Sequence, residues 1–467
     1  MEYRNEKLEE FCQYLKNKKV AVIGLGVSNM PLLEYLHNLK ANVTVFDRKS
    51  IDNIDKKIMD IITEYGFEFS FGERNLEKLK GFDIIFRSPS CRPDLPEIIE
   101  ELNRGAILTS EIEMLIELCP GTVIGVTGSD GKTTTTTLIY EILKEKGYSC
   151  YLGGNIGIPL FAKVGEMKPD DYVVLELSSF QLMNMKTSPA ISVVTNVSPN
   201  HLDIHKSYEE YIESKKNIFK YQSEDGIVVL NYDNEITREY AKEAPGKVVF
   251  FSKKEKLNDG VILDNGVIKI CHDKLRKHIL NTEDITLRGE HNYENACAAI
   301  AATETLVDTE TQVKVISKFK GVEHRLELVR ELAGVKYYND SIGTSPSRTI
   351  AGLKSYKENI VLIAGGYDKH LDYTPIAMPI LDKVTNLILM GQTAGKIKTA
   401  VEKAMEETGK HIPIYECYTL EETVKKAQEV AKSGDVVLFS PASASFDLYK
   451  NFEERGNKFK KIVMELV

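Results

Sequence analysis

The sequence predicts an α/β protein of three domains with mainly parallel sheets. Three observations carry this reading. The chain has 467 residues, too many for one compact core and enough for roughly two to four domains. Short apolar, β-branched runs alternate with amphipathic helical patterns along nearly its whole length, as parallel sheets covered by helices do. The alternation also restarts twice, near Thr122 and near Val322. We place the domains at 1–118, 119–319 and 320–467.

Composition narrows the class. An apolar fraction of 42% and a charged fraction of 28% are those of an ordinary globular protein. The net charge of −9 is spread among interspersed acids and bases, so no broad basic face for nucleic acid is implied. The opening stretch "MEYRNEKLEEF" lacks the apolar core of a signal peptide. No run approaches the roughly 18 apolar residues needed to span a bilayer. The seven cysteines are scattered and form no C-x-x-C pair, which disfavours a zinc site or a disulfide framework. A soluble protein of the reducing cytoplasm is expected.

The first block opens with "KKVAVIGLGVSNMPLLEYLHNL": a strand, a glycine turn and a helix. A second strand, "NVTVFD", ends at Asp47. This resembles a G-x-G-x-x-G dinucleotide fingerprint, but Asn29 stands where the third glycine belongs. A purely structural βαβ turn and a nucleotide diphosphate held at the helix N-terminus both remain open.

The second block starts with "TVIGVTGSDGKTTTTTLIYEIL". A phosphate loop has the pattern G-x-x-x-x-G-K-[ST], but Val126 takes the place of the first glycine. The strand–loop–helix setting still fits. Gly128 and Gly131 would let backbone N–H groups face phosphates, Lys132 would meet the terminal phosphates, and Thr133 would ligate Mg²⁺. The five threonines Thr133 to Thr137 are poor helix formers and need a reason beyond propensity. The run "DYVVLELSSFQL" then breaks an apolar strand with Glu176. That carboxylate either binds a metal beside the loop or faces solvent from an edge strand.

Farther on, His201, Asp203 and His205 fall in a loop, and Ser207 with Glu210 forms a capping box. In the helix that follows, Tyr208, Tyr211, Ile212 and Phe219 share one face, and Lys215 lands in its middle. Such a lysine either snorkels to water, the ordinary outcome, or is held for chemistry. The third block reads as the strands "VKYYND", "NIVLIAGG", "NLILMG", "IPIYEC" and "DVVLFSPAS", with helical patterns between them.

Seven motifs, "TGSDGKTTTT", "GGNIG", "ELSSFQL", "NHLDIH" with Lys215, "GEHNYENACAA", "GVEHRLE" and "YYNDS", occur in this order. In that order the chain resembles the Mur ligases, over essentially its whole length. The resemblance implies a Rossmann-like UDP-binding domain, a central P-loop-type ATPase domain with a mainly parallel sheet, and a C-terminal Rossmann-like domain. It implies an ATP-dependent ligase that phosphorylates a substrate carboxylate and lets an amine attack the acyl phosphate. The stretches "VIGLGVSN", "NDSIGTSPSRT" and "SPASASFDLYKNFEERG" are most similar to the members that add D-glutamate to UDP-N-acetylmuramoyl-L-alanine, in cytoplasmic peptidoglycan precursor synthesis.

By that resemblance, Gly128, Ser129, Asp130, Gly131, Lys132, Thr133 and Thr134 hold the ATP phosphates. Thr133 and Glu176 hold one Mg²⁺ and His201 a second, with Mn²⁺ a substitute. Lys215 matches a lysine converted to a carbamate, a carboxylate-like group that can approach Mg²⁺. Asn292 and Asn295 contact the nucleotide near the adenine, Arg325 the γ-phosphate, and Asp340 the ribose. Gly24, Leu25, Gly26, Val27, Ser28, Asp47, Arg48 and Ser88 take the uridine diphosphate end, and Asn155 the substrate. Thr344, Lys369, Ser445 and Phe452 take D-glutamate. Small-molecule substrates, no nucleic acid, no membrane insertion and a monomer complete the expectation.

The chain departs from the family pattern at four places. Asp130 replaces a frequent asparagine and should point outward, away from phosphate. Asn200 replaces an acid, Ile342 and Gly343 replace a Lys-Ala pair, and Ser90 replaces a glycine. Three other readings stay in view: a sister ligase, an oxidoreductase using the first block for a dinucleotide, and a non-catalytic ATP-binding module.

Overall fold

The computed structural model describes residues 3–16, 18–26, 29–200, 204–273, 275–287, 289–369 and 371–467. The chain divides into two compact units, Met1–Phe319 and Lys320–Val467. Among the described residues no helix is long and apolar enough to cross a membrane.

The first unit holds two sheets. One is five-stranded and parallel, in the spatial order Glu68–Phe71, Asn42–Asp47, Lys19–Ile23, Ile84–Arg87, Ile107–Thr109. The chain leaves Lys19–Ile23 in one direction and returns on its other side, which makes a switch point where Gly24 and Ser88 meet. The other sheet is nine-stranded. The strand Thr122–Thr127 sits between Tyr172–Glu176 and Ile191–Val194. One hydrophobic cluster runs through both sheets, from Val20 and Leu32 to Val173, Tyr211 and Phe219.

Far from the switch point, Gly260–Asp264, Val267–His272 and Leu275–Asn281 form antiparallel pairs. These lie outside the expected parallel pattern, and Asn265-Gly266, both at positive φ, make the tight turn of the first.

The second unit is a six-stranded sheet in the order Glu327–Leu332, Val335–Asn339, Val436–Phe439, Ile360–Ala364, Val384–Leu389, Ile414–Glu416. The first pair is antiparallel and the rest are parallel. The stretch "GVEHRLELV" supplies part of its edge strand.

Candidate functional site

The phosphate loop is built by close approach. At Gly128 (φ 153°) a side chain would run into the Thr195 hydroxyl, and at Gly131 (φ 80°) into the Asn295 amide oxygen. The lost first glycine costs nothing here, because Val126 is a fully buried strand residue paired with Glu176. Gly131 caps the helix Lys132–Glu145, so the loop runs straight into a helix N-terminus, the end of a helix that favours anions. The threonine run also finds its reason. Thr136 and Thr137 donate to the carbonyls of Lys132 and Thr133 at 2.8 Å, and Thr135 reaches Asn295 at 3.4 Å. Hydroxyls bonded back to i−4 in this way are satisfied within the turn, at a slight cost to the helix rather than a gain. Asp130 is exposed, as its charge requires.

Lys132 folds over the loop and donates to the carbonyls of Gly128 and Ser129, both at 2.9 Å. Lys215 reaches the same Gly128 oxygen at 2.8 Å and the Thr127 hydroxyl at 3.3 Å. It lies in the helix Tyr208–Lys216 and is 1% exposed, so it does not snorkel. Burial foremost, then the Lys132 charge, holds its pKa well below 10.5, which favours the neutral amine. The Tyr211 ring lies 4.7 Å beneath its nitrogen, and the Tyr211 hydroxyl is 2.9 Å from Ser129 Oγ. The capping box at this helix is only half formed. Ser207 accepts from the Glu210 N–H, but the Glu210 carboxylate accepts from Lys206 N and pairs with Arg92 instead.

Glu176 is 2% exposed and lies between two strands rather than at an edge. Its Oε1 accepts from Asn155 Nδ2 at 2.8 Å, and its Oε2 is buried with no hydrogen-bond partner. Leaving such an oxygen bare costs about 1–3 kcal/mol or more. A hard divalent cation would satisfy it, so this residue fits Mg²⁺. Among the described residues no group of three or more His, Cys, Asp or Glu side chains could hold a metal. Asn155, expected on the substrate, bonds Glu176 in this structure. Asn295 lies on the phosphate loop itself, and Asn292 begins one turn earlier on the same helix, Glu290–Thr303. His201 and Asp203 lie outside the described residues.

At the first sheet's switch point Asp47 accepts from the Leu25 N–H at 2.8 Å and from Lys49 N at 2.9 Å. A side chain at Gly24 would meet the Ser88 hydroxyl, and Ser88 Oγ lies 2.9 Å from Ser90 Oγ. Asn29 explains the missing third glycine: buried, it donates to Gly24 O at 2.8 Å and Ile23 O at 3.2 Å and closes the turn. Gly26 and Arg48 are exposed beside it. Val27 and Ser28 lie outside the described residues.

Sequence reasoning missed two arginines that join this point to the phosphate-loop sheet. Arg87, 1% exposed, donates to Phe180 O at 2.6 Å and Cys91 O at 2.8 Å and bonds the Asn184 amide oxygen. Arg92 donates to Ile204 O and pairs with Asp94 and Glu210. Arg87 interrupts an apolar strand just as Glu176 does, and that signal was available in "DIIFRSPS". His205, buried, bonds Ser179 Oγ at 3.0 Å and stacks on Phe180.

In the second unit the expected amino-acid residues gather at the carboxyl ends of adjacent strands, the usual ligand crevice of such sheets. Thr344 follows Val335–Asn339, Lys369 follows Ile360–Ala364, and Ser445 follows Val436–Phe439. Phe452 opens the helix Phe452–Glu465, and its carbonyl accepts from Ser341 Oγ at 2.8 Å. Lys369 lies over the Phe446 ring at 5.7 Å. Asp340 is buried, accepting from Ser440 Oγ at 2.6 Å and Leu326 N at 3.3 Å, and burial pushes its pKa up to about 6. It caps no helix, since Ser345 holds that position before Pro346–Lys354. Gly343 is needed beside it: a side chain there would come within 2.8 Å of Asp340 Oδ2 and Ser440 Oγ. Arg325 is exposed on the same unit.

Three family models match in order: "Mur ligase MurD-like, N-terminal domain" at residues 18–110, "Mur ligase middle domain" at 126–303, and "Mur ligase, glutamate ligase domain" at 324–443. A UDP-N-acetylmuramoylalanine–D-glutamate ligase of Acetivibrio thermocellus is 54% identical, covering 98% of this chain and 99% of its own. The enzyme of that name from Ruminiclostridium cellulolyticum is 50% identical over 99% and 100%. The fold is shared with UDP-N-acetylmuramate–alanine ligase of Thermotoga maritima, at a TM-score of 0.53 and 18% identity over 96% and 99%. These relatives lend nothing to the sister-ligase or oxidoreductase readings. A chain matched end to end at this identity, with a glycine loop on whose Gly128 carbonyl Lys132 and a buried Lys215 both meet, belongs to the Mur ligase family, in its MurD-like branch.

Proposed function

We propose that the protein joins D-glutamate to UDP-N-acetylmuramoyl-L-alanine at the expense of ATP, as a cytoplasmic step of peptidoglycan precursor synthesis. The observation that carries this is the convergence of Lys132 and Lys215 on Gly128 O beside the bare Glu176 Oε2, in a chain whose relatives bear that activity in their names.

The chemistry follows in two displacements. A carboxylate oxygen of the UDP-sugar substrate attacks the γ-phosphorus, the bond to the bridging oxygen breaks, and ADP leaves. The amine nitrogen of D-glutamate then adds to the acyl carbon and loses a proton. The carbon–oxygen bond to phosphate breaks, giving an amide and inorganic phosphate. Lys132 leaves its loop carbonyls for the β- and γ-phosphate oxygens, and the N–H groups from Gly131 to Thr134 cradle the rest; Ser129 and Asp130, whose N–H groups donate to Asn196, hold the loop that carries them. Mg²⁺, when bound, offsets phosphate charge during the transfer. Thr133 and Glu176 are assigned to one ion, and His201 with the Lys215 carbamate to a second, with Mn²⁺ able to substitute. The neutral Lys215 amine is the form that adds CO₂.

Gly24 to Ser28, Asp47, Arg48 and Ser88 are assigned to the uridine diphosphate end, and Asn155 to the substrate as well as to Glu176. Asn292, Asn295, Arg325 and Asp340 are assigned to the nucleotide, and Thr344, Lys369, Ser445 and Phe452 to D-glutamate. The three-domain division at 118/119 and 319/320 and a monomeric state belong to the same reading. The test is phosphate release with ATP, Mg²⁺ and the UDP-sugar, comparing D-glutamate with L-glutamate, L-alanine and a diamino acid. Turnover with D-glutamate alone is expected; turnover only with another amino acid would reassign the acceptor.

A further inference from the structure

Arg455 is one of the largest fully buried side chains of the chain, 2% exposed, in the helix Phe452–Glu465. Among the described residues its hydrogen bonds go to neutral oxygens. Nε donates to Ser341 Oγ at 3.1 Å and Nη2 to Ser341 O at 2.9 Å. Nη1 donates to Ala444 O at 2.8 Å, and Nη2 also to Ser443 O at 3.1 Å. Nη1 further bounds the space beside Gly366, where a side chain would approach it to 3.0 Å.

These contacts touch every segment that carries the amino-acid subsite. Ser341 lies between Asp340 and Thr344 and donates onward to Phe452 O at 2.8 Å. Ser443 and Ala444 immediately precede Ser445, and Tyr367 N donates to Ala444 O at 2.9 Å. Gly366 leads to Lys369. Isolated loops at strand ends are soft, and a planar, five-donor guanidinium is the one side chain able to tie several carbonyls in fixed geometry.

We infer that Arg455 is a positioning residue for amino-acid recognition, a buried clamp that fixes the three loops bearing Thr344, Lys369 and Ser445 and adds a fixed positive charge behind a site for a dicarboxylate. Lys369 feels that charge: partial burial lowers its pKa first, and Arg348 and Arg455 lower it further. The inference rests on the reading of those residues as the D-glutamate subsite.

The experiment compares wild type with Arg455→Lys, Arg455→Met and Ser341→Ala by steady-state kinetics with ATP, UDP-N-acetylmuramoyl-L-alanine and D-glutamate, alongside thermal melting. Arg455→Lys keeps the charge and loses the fork; it is expected to raise KM for D-glutamate about tenfold or more, with KM for ATP within twofold. Arg455→Met is expected to raise it further, and added guanidinium ion to lower it again. Ser341→Ala removes one clamp bond and is expected to give a smaller rise in the same constant. An unchanged KM for D-glutamate in a folded Arg455→Lys or Ser341→Ala protein overturns the inference, as does an equal rise in all three KM values. Failure of the underlying reading looks different, because wild type would then show no D-glutamate turnover.

Discussion

Lys215 and Lys132 share one acceptor, the Gly128 carbonyl, at 2.8 and 2.9 Å. Two cationic side chains on one oxygen is an arrangement that a folded protein keeps only for a purpose, since the buried partner is forced toward its neutral form. Replacing Lys215 by methionine should therefore stabilise the ligand-free protein while abolishing turnover. Because the folded-state pKa is depressed, the lysine's penalty is largest where the unfolded chain is protonated and fades as pH rises toward 10.5. The Tm of Lys215→Met should exceed wild type by a few degrees at pH 7, and by less at pH 10. Lys215→Ala should lose activity that a short carboxylate partly restores. A fully active variant would remove the carbamate from the mechanism.

The glycine at 131 sits at φ 80° with the Asn295 amide oxygen where a Cβ would go. Gly131→Ala pays both a left-handed backbone and a clash, roughly 1–3 kcal/mol for the backbone alone. It is expected to raise KM for ATP at least about tenfold, far beyond its effect on the UDP-sugar. Gly131→Ala with Asn295→Ala should recover part of the lost melting temperature, since the clash goes and the strain stays, but not the KM for ATP, because Asn295 is itself assigned to the nucleotide. Complete recovery of the melting temperature would assign the whole stability loss to the Asn295 clash.

Much of this was legible in the sequence, and the rest failed for physical reasons. The strand ending at Glu176 stands out because an apolar run broken by one charge is costly unless the charge has work to do. The burial of Lys215 was not legible. A helical projection locates a residue on a face but does not say whether that face is covered. The antiparallel hairpins had a signal in "DNG" and "LAGV", two-residue turns with Asn265-Gly266 and Ala333-Gly334 at positive φ; the parallel rhythm on either side masked it. Arg455 had none, since an arginine in "NFEERG" reads as a solvated face until the loops it ties are folded beneath it.

Arg87 reaches from the end of the strand Ile84–Arg87 to Phe180 and Asn184, just beyond Glu176 in sequence. Its side chain satisfies carbonyls that no smaller residue can reach. Arg87→Met should lower Tm by several degrees, as expected when buried acceptors lose about 1–3 kcal/mol each. Arg87→Lys, which keeps the charge, should fold better yet still raise KM for the UDP-sugar several-fold. Unchanged kinetics in that variant would leave Arg87 a stability residue only.

Glu111 supplies the pH prediction. It is 6% exposed, and its Oε1 accepts from Phe161 N at 3.0 Å. Burial outweighs that bond and pushes its pKa up to about 7. A carboxyl with a raised folded-state pKa contributes stability that is whole below about 4.5 and is lost as pH rises through about 7. Glutamine keeps an acceptor for Phe161 N and carries no charge. Glu111→Gln should thus melt near wild type at pH 5 and several degrees above it at pH 8, a gain on the order of 1–3 kcal/mol. Thermal melts of both proteins across pH 4.5 to 8.5 check the sign as well as the size. A Tm difference that is flat across that range would mean that Glu111 is ionised throughout, held by its backbone donors against the cost of burial.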